Sequence, residues 1–318
     1  MSIGTTLAVP RSDRRMGRPM IDFERITVRG ANCDLSVVYF GGRGKPELIV
    51  LHGTHDHALG LYPAIADLLE DFRVVGLDLR GHGRSDKPGN YSILAMVADL
   101  RAVINALDVQ QPNFVVHSLG GHIAVRYAAI YPDEIASLAI LDGMGPPLFP
   151  GAYSAPALAA GLRMGVDGAL RPQRTARQMT DREEALSRFS ANYPALDSDC
   201  AALIVDNGIE AHPRGGVRWC FDTAIDLIFH TYSDHEAETM AALIPCPVLL
   251  LGGDRALEFW HALGLARDMD ETAFEADQER RRELFPNARR AVVEGAGHML
   301  HYDQPAAVRR LLGEFLKA

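Results

Sequence analysis

The chain has 318 residues, 47% of them hydrophobic and 23% charged. That balance suits one large globular domain, or a domain with a sizeable insertion, and excludes disorder, collagen-like repeats and coiled coil over most of the length. A formal net charge of −9 argues against a nucleic-acid binder, which needs a dense basic face, and with Lys45, Lys87 and Lys317 the only lysines a Schiff-base mechanism has few candidates.

Residues 1–20 lack the continuous apolar stretch of a secretory signal and are rich in arginine between Pro10 and Pro19. They read as a loose tail on a cytoplasmic protein. No apolar run approaches the roughly 20 residues of a spanning helix, so no membrane partner is expected. Cys33, Cys200, Cys220 and Cys246 are far apart and spell neither a zinc cage nor a redox pair, which makes them buried free thiols.

Polar and apolar positions alternate over residues 26–28 and 35–39, as in an antiparallel edge. The pattern then changes. Residues 48–51, 72–77, 113–116 and 138–141 are short apolar runs of the kind expected of strands buried on both faces of a parallel sheet. Helical patterns at 62–70, 93–107 and 121–131 lie between them, and this alternation predicts an α/β sandwich with right-handed crossovers. It resumes at 247–251 and 290–294 and closes with a helix over 304–317.

About 100 residues interrupt the alternation. The interruption opens with turn residues, Gly143-Met-Gly-Pro-Pro147 and Pro150-Gly151, and continues mostly helical. Thr180-Asp-Arg-Glu183 has the spacing of a capping box before a helix over 185–192, and Gly208 follows a helix over 197–207 as a C-terminal glycine would. The division read from these patterns is a core of residues 21–142 and 245–318 with a helical cap, 143–244, over the carboxyl ends of the strands. In open sheets ligands bind at those ends.

The most informative segment is Val115-Val116-His117-Ser118-Leu119-Gly120-Gly121. A buried strand runs directly into Ser118 and a glycine-flanked helix starts directly after it. Such a corner exposes the hydroxyl and places oriented N–H groups and a positive dipole end beside it, where an oxyanion would develop. Here the chain resembles the α/β-hydrolase family, whose nucleophile elbow reads Gly-x-Ser-x-Gly. Val116 stands where the first glycine should, which predicts a strained elbow or a one-residue slip in the strand.

Three further segments match the family in order. Leu51-His52-Gly53-Thr54 is similar to its oxyanion loop, Asp78-Leu-Arg-Gly-His-Gly-Arg-Ser-Asp-Lys-Pro88 to an architectural turn, and Gly295-Ala-Gly-His298-Met-Leu-His301 to the segment carrying the catalytic base. The resemblance implies Ser118 as nucleophile, His298 as base, and the N–H groups of Thr54 and Leu119 as the oxyanion hole. Two acids compete for the third role. The family's usual place, past the strand at 247–251, falls on Ala256, with Asp254 nearby; some members place the acid after the strand that follows the nucleophile, where Asp142 stands.

The implied function is a serine hydrolase that cleaves an ester, thioester, lactone or activated C–C bond of a small, apolar molecule through an acyl-enzyme, with no metal or organic cofactor. Lyase and perhydrolase chemistries use the same triad. A ligand-binding member without turnover is the alternative from another class, motivated by Val116 and Ala256; an unoriented His298 would favour it. His52, His55 and His57 are expected at the pocket mouth, His117 and His82 as structural, and Trp219, Phe221, Phe229 and Phe259-Trp260 at the cap or its contact with the sheet. Met144, Phe149, Leu158 and Leu162 are expected to roof the pocket, and the run from Glu275 to Glu283, with its Asp277/Arg281 pair, reads as a solvated helix face. The pattern specifies no oligomeric state.

Overall fold

The structure, a computed structural model, describes residues 21–40, 44–147, 154–171, 175–230 and 232–318. The expected tail at 1–20, Phe149 and the Pro150-Gly151 turn lie outside the described residues. Among the described residues ten strands are formed: β1 (Phe23–Arg29), β2 (Asp34–Phe40), β3 (Glu47–Leu51), β4 (Arg73–Leu77), β5 (Asn113–His117), β6 (Ser137–Leu141), β7 (Ile209–Ala211), β8 (Val217–Trp219), β9 (Val248–Gly253) and β10 (Ala288–Val293). Eight of them make one sheet in the order β1-β2-β4-β3-β5-β6-β9-β10. β1, β2 and β4 pair antiparallel at one edge, and every other neighbour is parallel.

The helices are α1 (Tyr62–Ile65), α2 (Ile93–Leu107), α3 (Leu119–Ile130), α4 (Ala155–Ala169), α5 (Arg182–Asn192), α6 (Ser198–Gly208), α7 (Asp234–Ala241), α8 (Ala256–Ala262), α9 (Glu271–Glu283), α10 (Leu300–Asp303) and α11 (Pro305–Leu316). Why the central strands read as unbroken apolar runs is visible in their packing. Ile49 and Leu51 of β3, Phe114 and Val116 of β5, and Leu138 and Ile140 of β6 enter one core with α2 and α3. Their alternates Leu48, Val50, Val115, Ala139 and Leu141 enter another with α11. With successive side chains on opposite faces and both faces covered, the inner positions are apolar and polar residues stand only at the strand ends.

Several expectations need correction. Residues 62–70 do not form one helix: a single α-turn sits between two 3-10 turns, Ala58–Leu61 and Ala66–Leu68. Ala58, Leu59, Leu61, Ala64, Ile65 and Leu68 are all buried, and a segment enclosed on this many sides follows its neighbours rather than a 3.6-residue stripe. The capping box is displaced by one residue. Asp181 accepts from Glu184 N–H (2.9 Å), and Glu184 in turn accepts from Thr180 N–H (2.7 Å). Gly208 is the last residue of α6 rather than a left-handed stop, and the chain runs straight on into β7.

The interruption between β6 and β9 also holds the β7–β8 hairpin. α5 and α6 share a core with Tyr302, whereas Ala224, Ile225, Ile228, Ala237, Ala241 and Ile244 join the core around α3. α4 buries none of its described side chains. The Glu275–Glu283 run is not simply solvated, because Arg281 is only 2% exposed. Its guanidinium lies against Asp277 and Glu238 and donates to the carbonyls of Gly145 (2.8 Å) and Pro146, and these partners offset its desolvation. The four cysteines are buried and free, and burial pushes the Cys200 thiol up to about 12.

Candidate active site

Every candidate residue lies just past the carboxyl end of a parallel strand. Thr54 follows β3, Ser118 follows β5, Asp142 follows β6, Asp254 follows β9 and His298 follows β10. Ser118 is the turn residue between β5 and α3, at φ 48° and ψ −117°. A left-handed φ on a residue with a Cβ costs about 1–3 kcal/mol and persists only where the surroundings impose it. Here they do. A Cβ on Gly120 would lie 2.4 Å from the Leu51 carbonyl oxygen and one on Gly121 would lie 2.3 Å from that of Gly143, so α3 leaves the sheet at a distance only glycines allow.

Val116 causes no slip. It pairs with Leu51 on one side and Ile140 on the other, in register with the rest of β5, and its side chain is fully buried in the core. The strain of the elbow sits on Ser118, and the close approach is provided by the glycines after the serine. Gly53 completes the corner, since a Cβ there would lie 2.9 Å from the Ser118 Cβ and 2.6 Å from His117 Nδ1. The backbone of Gly53, one residue before Thr54, therefore lies against the elbow, and Leu119 N–H in the first turn of α3 has no carbonyl one turn back.

His298 Nδ1–H donates to Asp142 Oδ2 at 2.7 Å, and Nε2 faces Ser118 Oγ at 3.1 Å. The carboxylate can only accept, so it fixes the tautomer that leaves Nε2 free to receive the serine proton. The imidazole and the Asp142 side chain are each 7% exposed. Asp142 too has a positive φ, 41°. The competing acid does different work: Asp254 is exposed and accepts from Ala296 N–H (3.2 Å) rather than from the imidazole.

The loop that carries His298 is braced from several sides. Gly297 N–H donates to Asp303 (2.8 Å), Arg255 N–H donates to the Ala296 carbonyl (2.9 Å), and His117 Nε2–H donates to the His298 carbonyl (3.0 Å). Burial holds the His117 imidazole neutral, well below its ordinary range. Beneath it His301 packs edge-on, 4.5 Å between ring centres, and lies 3.7 Å from the Asp56 carboxylate, to which Tyr302 OH donates (2.9 Å). Burial alone would raise the Asp56 carboxyl; the histidines His301, His57 and His52 around it hold it below the usual carboxylate range instead.

The three histidines expected at the pocket mouth divide. His52 is fully buried: it accepts from Leu79 N–H (3.0 Å) and donates through Nδ1 to the Gly53 carbonyl (2.7 Å), which orients the loop before Thr54. His57 is also buried and donates to the Ile204 carbonyl of α6 (2.9 Å). Only His55 reaches solvent, stacked on Phe221 and paired with Asp226 (2.7 Å). These contacts show why the sequence could not separate them, since identical residues two or three apart fall on either side of the boundary between core and surface. The Asp78-to-Pro88 turn is architectural as expected: the Asp78 carboxylate accepts from Ala58 (2.8 Å) and Arg84 (3.0 Å) N–H groups. Burial opposes its ionisation, but Arg25 and His57 beside it, with those two N–H donors, hold its carboxyl at about 2.

The expected roof is not formed by Leu158 and Leu162, which are 47% and 62% exposed on the outer side of α4. Two glycines of that helix face inward instead, Gly165 against His230 and Gly168 against Leu227. Met144 is buried in the core around α3. Trp219 faces Phe189 of α5, and Phe229 is largely exposed. Phe259 and Trp260 meet the candidate site itself: Phe259 stacks on the His298 ring and Trp260 meets its edge. Their signal was present in the sequence as an aromatic pair just past β9, where the family's acid is usually found.

An eight-stranded, mostly parallel sheet with a serine at a strand–helix corner and a histidine aligned on it defines a class of α/β enzyme folds. Residues 46–305 match the family described as alpha/beta hydrolase fold, and the chain belongs to that family. It is 25% identical over 296 residues to a serine hydrolase-like protein of Mus musculus, covering 89% of this chain and 92% of that one. Among solved structures it is similar to a thioesterase domain from the curacin biosynthetic pathway, with a TM-score of 0.75, 23% identity and coverage of 92% and 99%. It is similar also to E-2-(acetamidomethylene)succinate hydrolase, with a TM-score of 0.71, 22% identity and coverage of 93% and 100%. Membership supports an enzyme acting on a small molecule, and among the described residues no helix is long and apolar enough to cross a membrane.

Proposed function

We propose that the protein is a serine hydrolase that cleaves an ester, thioester, lactone or activated C–C bond of a small substrate through an acyl-enzyme. The observation that carries this reading is the continuous line from Ser118 Oγ to His298 Nε2 (3.1 Å) and from His298 Nδ1 to Asp142 (2.7 Å). Ser118 Oγ attacks the carbonyl carbon as its proton passes to His298 Nε2. Asp142 stabilises the imidazolium, and the N–H groups of Thr54 and Leu119 receive the oxyanion. Collapse of the tetrahedral intermediate expels the leaving group, which takes the proton from His298. Water, deprotonated by the same nitrogen, then releases the acid and restores the serine.

A binding-only role loses its motivation, because His298 has an oriented acid and Val116 leaves the elbow intact. The test is exposure to a fluorophosphonate, with intact mass and peptide mapping. One adduct on Ser118, absent from Ser118→Ala, is the expected result. A folded protein that takes up no label would overturn the assignment.

A further inference from the structure

The His298 imidazole lies face to face with Phe259, ring centres 4.0 Å apart and planes 6° from parallel. Trp260 meets its edge at 5.6 Å and 68°, and the two aromatic rings are themselves perpendicular, 5.0 Å apart at 74°. Both belong to α8, which begins at Ala256, the place past β9 where the family's acid usually stands. The helix is held by a small core of its own, Ala256, Leu257, Trp260, Ala266 and Phe274, so the stacked ring is not an incidental surface contact.

The geometry points to Phe259 as a positioning residue that acts through His298: its π face stabilises the imidazolium formed during catalysis and holds the ring in the plane shared by Ser118 and Asp142. The inference rests on the serine-hydrolase reading above. The negative face of an aromatic ring attracts a cation, the more so where water is excluded, while a neutral imidazole gains far less from the same contact. The difference between the two protonation states is what accelerates a proton transfer, whereas equal support of both would not. With its acid supplied from β6, the β9 end is free to carry an aromatic helix, and the two strand ends then act on the same ring, one through its Nδ1–H and the other through its face.

The test replaces the face without the shape. Pentafluorophenylalanine at 259 keeps the ring's outline and inverts its quadrupole; Phe259→Leu keeps apolar cover, and Phe259→Trp keeps a π face. The other charged or titratable groups around His298 stay in place: Asp142, His117, the loop-bracing Asp254 and Asp303, and Arg255 with Glu258 at the start of α8. Two readouts are taken on each protein, the acid limb of the kcat/KM profile and the His298 Cε1–H titration by NMR.

The expected result is that both midpoints fall by about half to one pH unit with the fluorinated ring and with leucine, that kcat drops about five- to tenfold, and that tryptophan restores both. Unchanged midpoints in the folded fluorinated protein overturn the proposal, as does a loss of kcat that tryptophan shares with leucine, since that is the mark of packing alone. Fluorophosphonate labelling of the unsubstituted protein separates the two readings. A shifted His298 titration in a protein that takes up no label supports the stack and sinks the hydrolase assignment.

Discussion

The ends of β6 and β9 are neighbours on one edge of the sheet and both carry an aspartate, yet the two are used differently. Asp142 leaves β6 with a left-handed φ that turns its carboxylate onto His298 Nδ1, while Asp254 leaves β9 into solvent and accepts from the backbone of the loop that holds His298. One orients the His298 imidazole and the other braces the segment that carries it. The lesson is that an acid at the right sheet edge is insufficient. What decides is the backbone conformation at the first residue past the strand, which sets where the side chain points.

The sharpest way to break the contrast is at the reacting end. Ser118→Ala should lower kcat by at least about 10³-fold with an unchanged unfolding midpoint, and the companion Asp142→Asn should lose about 10³–10⁴-fold, because an amide cannot stabilise the imidazolium. Steady-state rates beside urea denaturation check both. Asp254→Asn, by contrast, is expected to cost less than about tenfold, since an amide oxygen still accepts from Ala296 N–H. Equal losses at 142 and 254 would erase the distinction between the two strand ends.

Stability sharpens the comparison next. Restoring the family's elbow glycine with Val116→Gly should destabilise the fold by about 2–4 kcal/mol and bring no gain in rate, because it empties a fully buried core position. Chemical denaturation together with kcat measures both halves of that statement, and a faster, equally stable variant would contradict it.

A smaller, graded effect is expected with pH. Burial keeps His52, His82 and His117 neutral and lowers His122 to about 3, against an ordinary value of 6.5. Their folded forms bind protons less readily than the unfolded chain, so stability is full above pH 6.5 and is lost as pH falls, by up to about 1.4 kcal/mol per unit for each histidine. Asp234, raised to about 6 by burial, works in the opposite direction between 6 and 3.8, but it is one group against four. Thermal melts from pH 8 to pH 4.5 should show a monotonic decline, and a flat profile would contradict the assignment of neutral histidines.

Much of this was legible in the sequence for a physical reason: glycine and apolar runs are unambiguous where backbones touch. Gly53, Gly120 and Gly121 announce the corner around Ser118, and the four apolar runs announce strands covered on both faces. Asp142 and Asp254 could not be separated because φ at a strand end is not written in residue type. Arg281 was read as solvated because an i, i+4 charge pair looks the same whether its outer side meets water or the carbonyls of Gly145 and Pro146. Leu158 and Leu162 misled in the reverse sense. α4 turns Gly165 and Gly168 inward and its large side chains outward, against the usual amphipathic rule.

The left-handed backbone at positions 118 and 142 sets stability against activity. Glycine at either place would relieve strain, so Ser118→Gly should melt higher by a few degrees, in keeping with about 1 kcal/mol returned to the fold. A library of this chain selected for heat resistance alone would therefore discard its proposed nucleophile among the first changes, and any engineering for robustness has to be screened for turnover at every round.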